Sequence, residues 1–246
     1  MKRFLVGALL CGVMTLPAFA ALKQGDRAPD FSARASLAGK EFAFSLKDAL
    51  KKGPVVVYFY PSAFTGGCNI EAHTFAENKD KFDALGVSII GVSADNIARL
   101  NAFSADPQYC AGKIAVASDA DRTIAKSYNL TKMDLKPGIK DTRGEVIDHD
   151  FTERTTFVIT PDFKVAATLS TADDKISPAE HVAKSLAVVQ QLANAKSTKQ
   201  YRRSCGLPET RRQRLTLSRV PVRGQTRAWL APIDLGTPAR GRKAAA

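Results

Sequence analysis

The stretch from Val55 to Leu85 restricts what this chain can fold into more than any other. It opens with Val55-Val56-Val57-Tyr58-Phe59-Tyr60, an uncharged run of β-branched and aromatic residues that suits a strand buried on both faces of a sheet. Pro61 cannot donate to a ladder, so the strand stops there. Gly66 and Gly67 permit a sharp turn. Ala72, Phe75, Ala76 and Phe82 then recur on one helical face, with Leu85 at its edge. Cys68 thus falls on the first turn of a helix at the carboxyl end of a buried strand. Free N–H groups and the partial positive charge of a helix terminus favour a thiolate over a thiol there. A reactive cysteine is expected at this position.

The remainder of the body alternates in the same way. Ala28-Pro29-Asp30-Phe31 opens an extended segment, and Glu41 to Ala49 is short and amphipathic, ending before the Gly53-Pro54 turn signal. Val87 to Val92 reads as a second buried strand, followed by a helix to about Phe103 that Ser93 or Asp95 can cap. Ile114 to Ala117 reads as a short strand, Asp119 to Tyr128 as a short helix, and Asp134 to Asp150 as an irregular charged segment. Thr155 to Thr160 and Lys164 to Leu169 form a hairpin around Pro161-Asp162. Pro178 starts a final amphipathic helix with Val182, Leu186, Val189 and Leu192 on one face. The pattern predicts an α/β sandwich, a central mixed sheet flanked by helices.

The ends of the chain differ from its body. Lys2 and Arg3, the apolar run Phe4 to Leu16 and the small-x-small Ala18-Phe19-Ala20 predict a signal peptide over residues 1–20, and hence export to a bacterial periplasm, where disulfides persist. The formal net charge of +12 would suggest an acidic partner, but it is unevenly placed. Residues 199–246 hold ten Arg and two Lys against Glu209 and Asp234, while residues 21–198 are neutral overall. Lys outnumbers Arg before Lys199 and the preference inverts after it. With four prolines and no sustained apolar periodicity, the tail reads as a disordered basic arm, as the product of a shifted reading frame, or as a nucleic-acid or membrane-surface arm. Trp229 alone gives no stacking platform, and neither a nucleic-acid partner nor stable membrane association is expected. Residues 21–198 are expected to form one domain.

Two features carry a resemblance. Pro61-x-x-x-Thr65-x-x-Cys68 follows a buried strand, and Arg154 enters the later strand Arg154-Thr-Thr-Phe-Val-Ile-Thr160. With the Ala28-Pro-Asp-Phe31 opening, they make the chain from about Gly25 to Leu192 similar to the peroxiredoxins, and most to the bacterioferritin-comigratory group. The resemblance implies a thioredoxin-like fold and a thiol-dependent peroxidase. It makes Cys68 the peroxidatic cysteine, has Thr65 and Arg154 complete the site, and has Pro61 shield it from water. The implied partners are a peroxide and a thioredoxin-like thiol reductant, and the implied state a monomer or weak homodimer.

The residue types fit that chemistry. A free cysteine, with a pKa of about 8.5, is mostly protonated at neutral pH. A guanidinium beside it favours the thiolate and donates to peroxide oxygens as charge moves onto the leaving one. The Thr65 hydroxyl can accept from the peroxide and donate to the thiolate, and backbone N–H groups near Gly67 and Cys68 can complete the cradle. The product is a sulfenic acid on Cys68.

Plainer readings exist for each residue. Cys68 could be a buried small hydrophobe, Arg154 a surface ion-pair residue near Glu153, and Thr65 a turn or cap residue. Cys68, His73 and Cys110 lack paired metal-ligand spacing, so no metal or cofactor is expected, and His73, His149 and His181 receive no role. His73 stands five residues after Cys68, where relatives often carry a resolving cysteine. Cys205 lies in the tail. The resemblance points instead to Cys110, in a loop-like segment around Pro107 and Gly112, as the resolving residue of an intramolecular disulfide with Cys68. The rival is a non-catalytic, thioredoxin-fold binding protein in which a permanent Cys68–Cys110 disulfide is a structural staple.

Overall fold

The computed structural model describes residues 20–204, so Cys11, Cys205, most of the leader and the tail beyond Ser204 lie outside the described residues. The uncharged run forms strand β3 (Val55–Phe59), and the helix expected after it is α2 (Gly66–Ala84). Before them come β1 (Ser32–Leu37), β2 (Lys40–Ser45) and α1 (Leu46–Leu50). After them follow β4 (Ser88–Ser93), α3 (Ile97–Ala105), β5 (Ala115–Ser118) and α4 (Thr123–Ser127). Short strands β6 (Lys132–Met133) and β7 (Phe151–Thr152) pair with each other across the charged segment. The chain continues through β8 (Thr155–Ile159), β9 (Val165–Ser170), α5 (Thr171–Asp174) and α6 (Pro178–Ser204).

Seven strands form one sheet in the order β2-β1-β5-β4-β3-β8-β9. The β3–β4 and β4–β5 pairs are parallel, and the β1–β2, β1–β5, β3–β8 and β8–β9 pairs antiparallel, so the sheet is mixed. Alternation along β3 separates two cores. Val56, Tyr58 and Tyr60 face a cluster built from α2, α3 and α6, while Val55, Val57 and Phe59 face one that includes Leu46 and Leu50 of α1 and Ile124 of α4. With both faces covered, a strand without polar residues is what burial requires. Gly91 on β4 leaves room for the Tyr58 ring: a Cβ there would stand 2.5 Å from Tyr58 Cζ.

Three local outcomes differ from the sequence reading. Glu41 to Ala49 divides into most of β2 and most of α1, because Ala38 and Gly39 (φ 50° and 76°) close a tight hairpin with β1. Helix α3 is capped by Asn96, whose side chain accepts from Arg99 N at 2.9 Å, rather than by Ser93 or Asp95. Helix α4 is shorter than Asp119 to Tyr128: Arg122 sits at φ 58°, and Asp119 accepts from the N–H groups of Ile124 and Ala125 at 2.9 and 2.8 Å. At the other end, α6 runs to Ser204, past the change in composition at Lys199. Among the described residues no helix is long and apolar enough to cross a membrane.

Candidate active site

The carboxyl end of β3, an inner strand, delivers Pro61 to Thr65 above the sheet's end, and Thr65 is the N-cap residue of α2, with extended φ and ψ. Its hydroxyl donates to Ser62 O at 2.8 Å rather than capping the helix. The one hydroxyl proton is therefore committed, and Thr65 offers an incoming group only its lone pairs. Donation to the sulfur, expected from the sequence, is not the arrangement found. Pro61 and Thr65 are half-buried. Phe64 adopts φ 60°, a costly conformation for a bulky residue. It is held there by Thr142, whose N–H and hydroxyl both donate to Phe64 O at 2.9 Å, and by the Arg143 guanidinium 3.3 Å from its ring centre.

Cys68 occupies the first turn of α2 and is 2 % exposed. Its Sγ accepts from Arg154 Nη2 at 3.1 Å. Residue 154 enters β8, the antiparallel neighbour of β3, which explains why residues 86 apart in sequence meet. The other arm of the fork, Nη1, forms an ion pair with Glu71 Oε2. Gly67 eases this approach, since a Cβ there would lie 3.2 Å from Arg154 Nη2 and 3.3 Å from Pro178 Cγ. One guanidinium thus spans a sulfur and a carboxylate, and it stabilises negative charge on the sulfur.

Arg154 stands beside Cys68 as the sequence implies, and not in the plainer surface ion pair near Glu153, whereas Glu71 is not among the residues the sequence singles out. The signal was present: with Cys68, Ala72 and Phe75, Glu71 shares the i, i+3, i+4, i+7 face of an apolar helix stripe. Burial pushes its carboxyl up to about 7, against the pull of Arg154. Behind it His181 is fully buried, with Nδ1 2.9 Å from Thr156 Oγ1 and Nε2 2.9 Å from Thr171 Oγ1. Burial, and then Arg154, lower His181 to about 4, so it is neutral at neutral pH.

Cys110 lies in the turn after α3, followed by Ala111 at φ 51° and Gly112 at φ 67°. It is fully buried in the same apolar cluster as Cys68, Tyr58, Tyr60 and Phe64, and both cysteines are free thiols. Burial, with Asp106 nearby, pushes the Cys110 thiol far above its ordinary value. His73 is exposed beside Glu77 at 3.3 Å, away from any cysteine-centred cluster, and among the described residues no three His, Cys, Asp or Glu side chains group as a metal site.

Residues 24–168 match the model of the AhpC/TSA family. The barley chloroplast 2-Cys peroxiredoxin BAS1 is 30% identical over 110 residues, 43% of this chain and 52% of its own length. The chain thus spans about half the length of that curated relative. The crystal structure of peroxidoxin BcpB from Mycobacterium tuberculosis is 30% identical with a TM-score of 0.56, covering 69% of this chain and 97% of that one. The Xanthomonas campestris bacterioferritin comigratory protein, studied for alkyl peroxide reduction, is 25% identical with a TM-score of 0.50, covering 65% and 91%. These solved structures share the thioredoxin-like peroxiredoxin fold of the mixed sheet described above.

Proposed function

The chain belongs to the AhpC/TSA family, and on that premise we propose that it is a thiol peroxidase of the bacterioferritin-comigratory kind acting through Cys68. The observation that carries this reading is the buried Cys68–Arg154–Glu71 line, in which a guanidinium is fixed against the sulfur by a carboxylate. The Cys68 thiolate attacks one peroxide oxygen in line with the O–O bond. That bond breaks, the second oxygen leaves as hydroxide or alkoxide and takes up a proton, and Cys68 becomes a sulfenic acid. Arg154 donates to the oxygens as charge builds on them, and Thr65 accepts from the peroxide O–H. The alkyl peroxide chemistry of the Xanthomonas relative supports organic hydroperoxides as substrates beside hydrogen peroxide.

The cycle closes when Cys110 attacks the sulfenic sulfur, forming a Cys68–Cys110 disulfide and releasing water. A thioredoxin-like dithiol then reduces it by exchange. The shared apolar cluster and the turn at Ala111-Gly112 support this step, while the burial of Cys110 requires the turn to open first. Cys68→Ser abolishes peroxide consumption while keeping the thermal melt, and retained turnover would sink the assignment. Peptide mapping after one equivalent of peroxide tests resolution, because a Cys110 that stays free while Cys68 is oxidised refutes it. Export to the periplasm rests on residues 1–20, and a mature N-terminus at Ala21 in the periplasmic fraction is the corresponding test. A monomer or weak homodimer is expected in sedimentation.

A further inference from the structure

Beneath the loop that carries Thr65 lies a second charged cluster that does not touch the reacting sulfur. Asp95 is fully buried at its centre. Its Oδ1 accepts from Ser62 Oγ at 2.8 Å and lies 2.9 Å from both His149 Nε2 and Arg99 Nε. Its Oδ2 accepts from Ala63 N and Ser93 Oγ, each at 2.7 Å. Arg99 also donates to Ala63 O at 3.0 Å and pairs with Asp141 at 2.7 Å. Ser62 and Ala63 directly precede Phe64 and Thr65, so the loop leading to Cys68 hangs on this carboxylate.

His149 comes from the charged segment before β7, and both of its ring nitrogens face oxygen acceptors. Nε2 meets the Asp95 carboxylate, and Nδ1 lies 3.0 Å from Asp150 O. A neutral imidazole can donate from only one nitrogen, whereas the imidazolium satisfies both contacts. We propose that His149 is a positioning residue for the reactive loop. Its imidazolium, seated on Asp95, holds Ser62 and Ala63 and keeps Cys68 enclosed, and loss of its proton loosens the loop and exposes Cys68. The proposal rests on the peroxidase reading only for the meaning of Cys68 as the reactive thiol.

The surroundings of the ring fix the sign. Asp95 and Ser93 approach from the end of β4, Ser62 from the loop at 3.4 Å, Arg99 from α3 through the same carboxylate, and Asp148 and Asp150 from the segment itself. Phe151 stands with its ring centre 6.4 Å away, and the open cavity of about 650 Å³ beside the ring is also lined by Asp121, Arg122, Lys126, Lys132 and Lys136. Burial lowers the proton affinity of His149, but Asp95 together with the Asp150 carbonyl and the Asp148 charge outweighs it, so the net shift is upward. A raised folded value means that the clasp is complete at low pH and is lost as pH rises through that value.

Iodoacetamide labelling of Cys68 in the whole reduced chain, read by peptide mass across pH, compares wild type with His149→Gln. Glutamine can still donate to Asp95 but carries no charge at any pH. Below the His149 titration the variant should label several-fold faster than wild type, and the ratio should fall to about one above it. A ratio equal at every pH overturns the proposal. If His149→Gln does not fold, the wild-type imidazole titration followed by NMR carries the test. It should have a midpoint above that of free histidine and coincide with the break in the Cys68 labelling profile, and an ordinary or non-coincident midpoint overturns the proposal. Labelling needs no peroxide, so its outcome is separate from that of the peroxidase assay.

Discussion

Replacing Arg154 with Lys keeps the charge and removes the fork. In the structure Nη2 contacts Cys68 Sγ at 3.1 Å while Nη1 pairs with Glu71 Oε2. A single ammonium cannot occupy both positions. If it stays with Glu71, the sulfur and the leaving oxygen lose their donor. If it moves to the sulfur, Glu71, which is fully buried, loses its counter-ion. Its carboxyl, already pushed up to about 7, then rises further and takes a proton, so the lysine is no longer held in place. Either branch removes at least one charge-assisted hydrogen bond made in the transition state. Losses of that kind reduce rates by about a hundredfold or more, on the order of 3 kcal/mol. Stopped-flow consumption of peroxide under second-order conditions at neutral pH measures the step directly. A rate constant within about threefold of wild type would mean that the two-armed contact does not act in the reaction.

Further substitutions test the frame around the site. Tyr58 is buried with a hydroxyl that has no hydrogen-bond partner among the described residues, so Tyr58→Phe should raise the melting temperature by a few degrees, on the order of 1 kcal/mol; a lower melting temperature would reveal a partner for the hydroxyl. Gly91→Ala places a Cβ 2.5 Å from Tyr58 Cζ. It should therefore destabilise by about 1–3 kcal/mol in denaturant titrations, and an unchanged midpoint would refute the close approach. Deleting residues 205–246 should leave both peroxidase rate and melting temperature unchanged, because that stretch holds four prolines and no sustained apolar periodicity; a fall in either quantity would give the tail a role.

The strands and helices that bury a continuous stripe are legible in the sequence. Val55 to Phe59 could hardly be anything but an inner strand, and the apolar face of α2 follows directly from Ala72, Phe75, Ala76 and Phe82. The β1–β2 hairpin was not legible. Strand β2 is the sheet edge, where only Phe44 is buried, and β1 buries only the adjacent Ala35 and Ser36, so no period-2 contrast marks either strand. The site divides along the same line. Cys68, Thr65 and Pro61 sit in one short motif, and Arg154 gains meaning from it. Asp95 and His149 are 54 residues apart and carry no local signal, and what joins them is the docking of the charged segment onto the end of β4.

The two buried carboxylates of the site have opposite fates, and the difference follows from how many donors each receives. Glu71 is desolvated with one guanidinium arm, while its Oε1 has no hydrogen-bond partner among the described residues beyond a 4.0 Å approach of His181 Nδ1, and burial wins: the carboxyl is pushed up to about 7. Asp95 is desolvated as well, but His149, the Ala63 N–H and the Ser93 hydroxyl outweigh burial and hold it below the usual carboxylate range. Near neutral pH Asp95 therefore stays charged while Glu71 is poised to change. The loop is anchored on the acid that keeps its charge, and Arg154 is paired with the acid that can shed it. Proton uptake at Glu71 leaves the guanidinium with the Cys68 sulfur as its remaining partner at the site. The loop that presents this sulfur meanwhile keeps its hold on Asp95, so the pairing at the sulfur can change without the loop being released.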